Sequence, residues 1–399
     1  MDSPFELDEK GRKIWPRTLA LTHWKPVPDP DKPDLPYRPG FRLSIRRYVP
    51  IPPFGHFYST EGPARFEGDR QERYYMRQSE WCLMRPPSTS SPHPDPTVSG
   101  LQIIDEIACK DGRGAQLVRC RLDADPGRIL VAKIYDAFYY HPEDRQGGPC
   151  DATRLADNDY SREASAYEVL RDAKVDGQLV PKYYGSWTFN LPVPKALQLL
   201  GSPCPFAPTR PVRMILYEWI KGVSIYELIK DEKTVKSIPP ELRLEILAKG
   251  MEALCIIESL GVRHNDWAPR NVMVSPASGW TMSRLPAVFL IDFNVADLTG
   301  SPYYKRKRYL PTPLPISPRY RFFHEWMPEF GRWIPRQYRE GTIFNGWLAT
   351  RWGREEDGYF SLTPEQKEYY YADDCYQFVP LRPESPPWTP GCGRPHDDY

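Results

Sequence analysis

His264-Asn265-Asp266-Trp267-Ala268-Pro269-Arg270-Asn271, followed by Asp292-Phe293-Asn294, is the stretch that decides the fold. Ahead of it, Leu244, Leu247, Met251, Leu254 and Ile257 recur at helical spacing and stop before Gly261. Residues 241–260 therefore read as a buried amphipathic helix. Val272–Val274 and Val288–Ile291 read as short strands beside the two polar motifs. A carboxylate ending a buried strand is costly unless positive charge is returned to it, and a divalent cation does that. Asp292 and the amide of Asn271 are thus candidate metal ligands. Asp266, on the short loop before Asn271, can accept the proton of a hydroxyl held beside it. The plainer alternative is a capping Asp and a turn Asn. His264 reads as a packing residue.

Upstream, 101–107, 116–122, 128–135 and 212–220 read as strands separated by Gly and Asp turns. Lys133 ends Ile129-Leu130-Val131-Ala132, and a lysine on an interior strand needs an anionic partner. Residues 161–171 read as a helix capped by Asp159 or Ser161, after a long loop over 141–157. On that helix Glu163 shares a face with Tyr167 and Leu170, whereas Glu168 points about 140° away. Glu163 is therefore the expected partner of Lys133. Gly112-Arg113-Gly114 lacks a third glycine and is a weak signal, with Arg113 free to reach a phosphate or sit in water.

In this order and spacing, Val131-Ala132-Lys133, the His264–Asn271 string and Asp292-Phe293-Asn294 resemble the eukaryotic protein kinase family and its kinase-like relatives, over about 101–297. The resemblance implies an α+β bilobal protein kinase-like fold. A small antiparallel β-sheet N-lobe with one helix would precede a mainly helical C-lobe. It implies an ATP-dependent phosphotransferase using ATP and Mg²⁺. Asp266 would be the catalytic base, Lys133 and Arg270 would face phosphate charge, and Asn271 and Asp292 would hold the metal. Gly112 and Gly114 would cover the phosphates, Val118 would contact the adenine, and Glu163 would hold Lys133. Within Met214–Gly222, backbone groups of Glu218 and Ile220 would meet the adenine edge. Phe293 would pack between the lobes, and Asn294, in the place of a glycine, would carry the positive φ of the turn.

The chain departs from the family at Asn265, where many members carry Arg, and at Ala268, where serine/threonine kinases carry Lys. It has no Ala-Pro-Glu element after Asp292. Three functions follow: transfer to a protein hydroxyl, transfer to a small molecule as in choline or aminoglycoside kinases, or a nucleotide-binding pseudokinase scaffold. Keeping Lys133, Glu163, Asp266, Asn271 and Asp292 together favours an enzyme.

The boundaries expected are a Pro-rich, partly disordered extension over 1–97, an N-lobe over 98–217, a C-lobe over 218–345 and a C-terminal extension over 346–399. Proline, 46 of 399 residues, argues for long irregular stretches. Lys25–Pro33 alternates Pro with charge and reads as extended, either a docking segment for a protein partner or a loose extension. A net charge of +1 gives no reason to expect nucleic acid. No apolar run is long enough for a membrane span, and no leader-like segment opens the chain. Eight cysteines without a Cys-x-x-Cys pair argue against structural zinc and for reduced thiols in an intracellular protein, cytoplasmic or nuclear. The run Lys305-Arg306-Lys307-Arg308 could grip an acidic substrate, act as a nuclear address, or be a solvated loop.

Overall fold

The computed structural model describes residues 24–55, 57–60, 72–144, 147–198, 207–306, 311–323, 327–353 and 358–364, and the strand pair β1 (Glu6–Leu7) and β2 (Lys13–Ile14). Six longer strands close into an antiparallel barrel. They are β3 (Arg42–Arg47), β4 (Val98–Ala108), β5 (Gln116–Leu122), β6 (Asp125–Tyr135), β7 (Tyr183–Pro192) and β8 (Thr209–Glu218), in the order β3-β4-β5-β6-β8-β7. Closure pairs β3 with both β4 and β7, so no long edge is left open. Residues Leu130–Tyr135 of β6 are all buried, because helix packing covers the face that the barrel does not.

Two expectations change here. Part of the segment 1–97, expected to be an extension, belongs to the sheet. Leu43 and Ile45 are buried between exposed neighbours, the period-two pattern of a half-buried strand. Tyr37 is buried too, and so are Phe54 and Tyr58, in the aromatic-rich stretch from Phe54 whose composition reads as packing on the domain. The run Lys25–Pro33 lies on its own molecule, where Asp29 accepts from the Ser79 backbone N–H (2.8 Å) and hydroxyl (2.7 Å) at the start of α1 (Gln78–Met84). Lys32 pairs with Asp111 at 2.7 Å.

The second change is helix α2 (Ala152–Asp172), which starts well before the expected Ser161. Its cap is Asp151, which accepts from Arg154 N at 3.1 Å, while Asp159 and Ser161 lie inside it. The added turns bury Ala152, Ala156, Asp157 and Tyr160, a face too polar and too small-sided to register as an apolar stripe.

The rest is mainly helical: α3 (Lys195–Gln198), α4 (Ile225–Lys230), α5 (Glu232–Ser237), α6 (Pro240–Ser259), α7 (Pro318–Arg321) and α8 (Gly341–Arg351). The boundary expected between 345 and 346 falls inside α8. Helix α6 opens with proline and buries all five residues of its apolar stripe. Gly261, at φ +88°, lets the chain turn after it. Short strands complete this half: β9 (Val223–Ser224), β10 (Val262–Arg263), β11 (Val272–Ser275), β12 (Ala287–Leu290) and β13 (Asp297–Leu298). Among the described residues no helix is long and apolar enough to cross a membrane. The helix expected from Thr363 beyond Pro364, the Pro-rich end and Lys307-Arg308 lie outside the described residues.

Candidate active site

Two small antiparallel pairings gather the polar motifs. In β11–β12, Val272 sits opposite Leu290, and Ile291 N–H donates to Asn271 O at 3.0 Å. Asn271 and Asp292 therefore emerge side by side. In β10–β13, Arg263 sits opposite Asp297, which lays the His264–Asp266 loop along the Asp292–Val295 turn. His264 is buried between them. Its ring accepts from Asp266 N–H at Nδ1 (3.3 Å) and donates from Nε2 to Ile291 O (2.9 Å). These partners select one neutral tautomer, and burial lowers its pKa.

The turn carries backbone strain at an unexpected residue. Positive φ falls on Asp292 (69°) and Asn265 (60°), not on Asn294. Asp292 is thus held in a conformation that ordinary residues avoid. Phe293 beside it is buried, 4.7 Å from the His264 ring and 5.4 Å from Tyr167. Tyr167 in turn stacks on Tyr183 and Tyr217 of the barrel. One aromatic column thus joins the turn, helix α2 and the sheet.

Lys133 ends in two carboxylates. Its ammonium pairs with Glu163 on α2 and, at 2.5 Å, with Asp292 Oδ1. Tyr135 donates to Glu163 Oε2 at 2.8 Å, while Glu163 Oε1 is buried without a partner. Burial works against the Lys133 ammonium, but Asp292 and Glu163 outweigh it and keep it protonated. Burial likewise opposes ionised Asp292, and Lys133 overrides that and holds this carboxyl below its usual range. Glu163 is pushed up by burial against the pull of Lys133. The Asp292 side chain stays 39% exposed, so this acidic end faces solvent.

Asp266 is fixed by its own loop. Asn271 Nδ2 donates to Asp266 O (2.9 Å) and Oδ2 (2.7 Å), and Arg270 donates to Asp266 Oδ1 (2.5 Å). Arg270 also pairs with Glu329 at 2.5 Å. With its nitrogen occupied, Asn271 has its amide oxygen left as the atom that could ligate a cation.

Other expected residues sit apart from this cluster. Gly112 donates to Tyr139 O, and side chains added at Gly112 and Gly114 would meet His141 and Tyr140. Their turn is braced by Gln116, whose side chain bonds Lys110 and Gly114, so it lies against the segment after β6. Val118 is buried opposite Ala132 in the barrel. Glu218 N–H goes to Lys182 O (2.8 Å), and Ile220 O accepts from Gly222 N–H (2.9 Å). Arg306 of the basic run stacks on Phe57 at 3.7 Å.

Asp159 was missed as a site residue. It lies one helical turn before Glu163, hydrogen-bonds Tyr140 (3.3 Å) and the Asn294 side chain, and is pushed up to about 7. Burial is the main cause, and Glu163 and Asp292 add to it against Lys133. Its i, i+4 spacing to Glu163 was the available signal.

The donor set suits a magnesium nucleotide. No group of three or more Asp, Glu, His or Cys among the described residues makes a protein-only metal cage. One exposed carboxylate with one amide oxygen is what Mg²⁺ needs when phosphates and water fill the remaining positions. Lys133 carries one positive charge against two carboxylates, so the cluster has room for a cation.

No protein-family model matches the chain, and no curated protein does. Among solved structures it is similar to the BubR1 kinase domain (11% identity, 54% of this chain and 51% of that one, TM-score 0.33). It is also similar to WaaP in complex with acyl carrier protein (14%, 61% and 86%, 0.32) and to the autoinhibited serine kinase domain of titin (15%, 50% and 46%, 0.30). The chain spans about half the length of the first of these.

Proposed function

We propose that the chain is a bilobal, protein kinase-like phosphotransferase that uses MgATP to phosphorylate a hydroxyl on a protein. The observation that carries this reading is Lys133 held between Glu163 and Asp292, beside the hydrogen-bonded Asp266–Asn271 loop. A purely structural lysine needs one carboxylate. A second, on a strained and partly exposed turn, adds acidity that a bound cation would balance.

In this reading MgATP, when bound, supplies the phosphoryl group and the metal that offsets its charge. Asp292 and the Asn271 amide oxygen would hold the metal. Lys133, kept protonated and aimed by Glu163, orients the anionic oxygens. The Asp266 carboxylate, fixed by Asn271 and Arg270, takes the proton of the acceptor hydroxyl as the new O–P bond forms and the bond from the γ-phosphorus to the β–γ bridging oxygen breaks, releasing ADP. Arg270 brings positive charge to the same place.

The test is γ-labelled ATP with Mg²⁺, offered with protein extracts in one arm and hydroxylated metabolites in the other. Label on protein, lost with Asp266→Asn, is the expected result. Label on a metabolite alone would move the acceptor to a small molecule. No transfer, together with no stabilisation by MgATP, would overturn the reading.

A further inference from the structure

A cavity of about 710 Å³ opens in the helical half, bounded by α4, α5, the start of α6 and the tight turns at 332–339. Lys230, Lys236, Arg243, Arg332, Arg336 and Arg339 line it, against the single acid Glu232. None of them takes part in the site around Lys133. Two of the nearby acids are already engaged: Glu227 pairs with Lys230 (2.7 Å) and Glu232 with Lys236 (2.6 Å). Among the described residues no carboxylate forms an ion pair with any of the four arginines.

A solvated basic face would leave such arginines splayed. Two of these are positioned instead. Arg243 donates from Nη1 to Trp333 O (3.1 Å), and the buried Trp333 indole donates back to Arg243 O (3.0 Å). Arg243 Nε is buried and has no acceptor. Arg339 Nε donates to Ile334 O at 3.1 Å. Their like charges oppose one another. Burial first, then Arg339, lowers the Arg243 pKa, with Glu241 opposing; burial, then Arg336, lowers that of Arg339. Held guanidinium groups converging without an ion-paired carboxylate favour an anion with several oxygens, since each can donate two parallel hydrogen bonds to a phosphate.

We propose that this cavity binds a compact small molecule carrying two or more clustered phosphate groups. Shape decides for a small molecule. The volume lies within the usual range of ligand pockets. A nucleic acid would need an extended basic stripe, and the net charge of +1 provides no general field for polyanions. Clustered phosphates occur on free sugars and cyclitols and on lipid headgroups, and the experiment separates these sources.

The experiment is calorimetry and thermal unfolding of the full chain with inositol hexakisphosphate. Saturable binding with a rise in Tm is expected, weakened about ten- to a hundredfold in Arg336→Gln/Arg339→Gln. Both arginines are exposed and the described bond lost is the one from Arg339 Nε to Ile334 O, so the variant should unfold close to the wild type without the probe. Arg332→Gln provides a second variant if it does not. Asp292→Asn should bind the probe as tightly as the wild type does, which keeps this cavity distinct from the nucleotide site whether or not that site is active. Vesicles of phosphatidylcholine with a bisphosphorylated phosphoinositide form the lipid arm, and binding there at the same arginines would make the source a headgroup. No binding at millimolar probe, equal binding by the variants, or preference for a single-stranded oligonucleotide or a phosphopeptide would overturn the proposal.

Discussion

Arg210 and Lys133 are both buried cations held by carboxylates, yet their surroundings differ. Arg210 meets Asp136 through two bonds of 2.5 and 2.8 Å, and Asp136 also accepts from the Tyr37 hydroxyl (2.6 Å) and Phe138 N–H (3.2 Å). Four donors fill that carboxylate, and neither side chain is more than 8% exposed. Lys133 instead faces two carboxylates, one with an unpartnered oxygen and one opening to solvent. In the first centre the acceptors are filled without a ligand and the atom left over is a donor, Arg210 Nε; the centre ties the N-terminal segment to the barrel. The second is over-supplied with acceptors, which leaves room for a cation. Satisfaction of the charges, more than their burial, separates a staple from a site.

The largest expected effect tests the open side. Asp266→Asn should lower phosphotransfer by about 10²–10⁴-fold, with ATP affinity little changed, because only the proton acceptor is lost. Steady-state kinetics with nucleotide calorimetry measures both. An unchanged rate would remove Asp266 from the mechanism.

Next comes the closed side. Asp136→Ala should destabilise the fold by about 3–5 kcal/mol, since it strands a buried guanidinium. Urea unfolding reads this directly. Lys133→Met should cost less stability while abolishing stabilisation by MgATP. Equal stability losses in the two variants would erase the distinction between staple and site.

A smaller effect concerns pH. Asp159 titrates near 7 in the folded chain because of burial and its acidic neighbours Glu163 and Asp292, with Lys133 and Asn294 opposing. The unfolded value is about 3.9. The folded state therefore holds the extra proton between about pH 4 and 7, so stability falls as pH rises through that window and then levels. Asp157, pushed up to about 6 by burial, acts in the same direction. Asp159→Asn should flatten part of this fall and be more stable than wild type by about 1–2 kcal/mol near pH 8. Denaturant midpoints near pH 5 and pH 8 measure it; parallel pH profiles for the two proteins would refute the assignment.

The smallest effect is a control on helix α2. Glu168→Gln should change stability by only about 0.5 kcal/mol and leave phosphotransfer alone, whereas Glu163→Gln should impair it. Similar rate losses in both would mean that the facing of the helix does not decide the site.

Much of this was legible because local rules govern it. The period of 3.6 gave the α6 stripe and separated Glu163 from Glu168; Lys133 does pair with Glu163. Alternation was visible in Gln116–Leu122, and also in Leu43-Ser44-Ile45, where surrounding proline masked it. The start of α2 was missed because its buried face uses alanine, tyrosine and aspartate.

The sequence by itself determined which side chains are candidates for chemistry, and on which short elements they sit. Tertiary structure alone decided that β3 closes the barrel, that the Gly112–Gly114 turn lies against Tyr139–His141, that Asp292 bears the strained φ, and that four arginines share one cavity. Helical and strand periods are fixed by backbone geometry within a few residues. Pairings across a hundred residues or more arise only when packing brings distant segments together, and they leave no period in the chain to read.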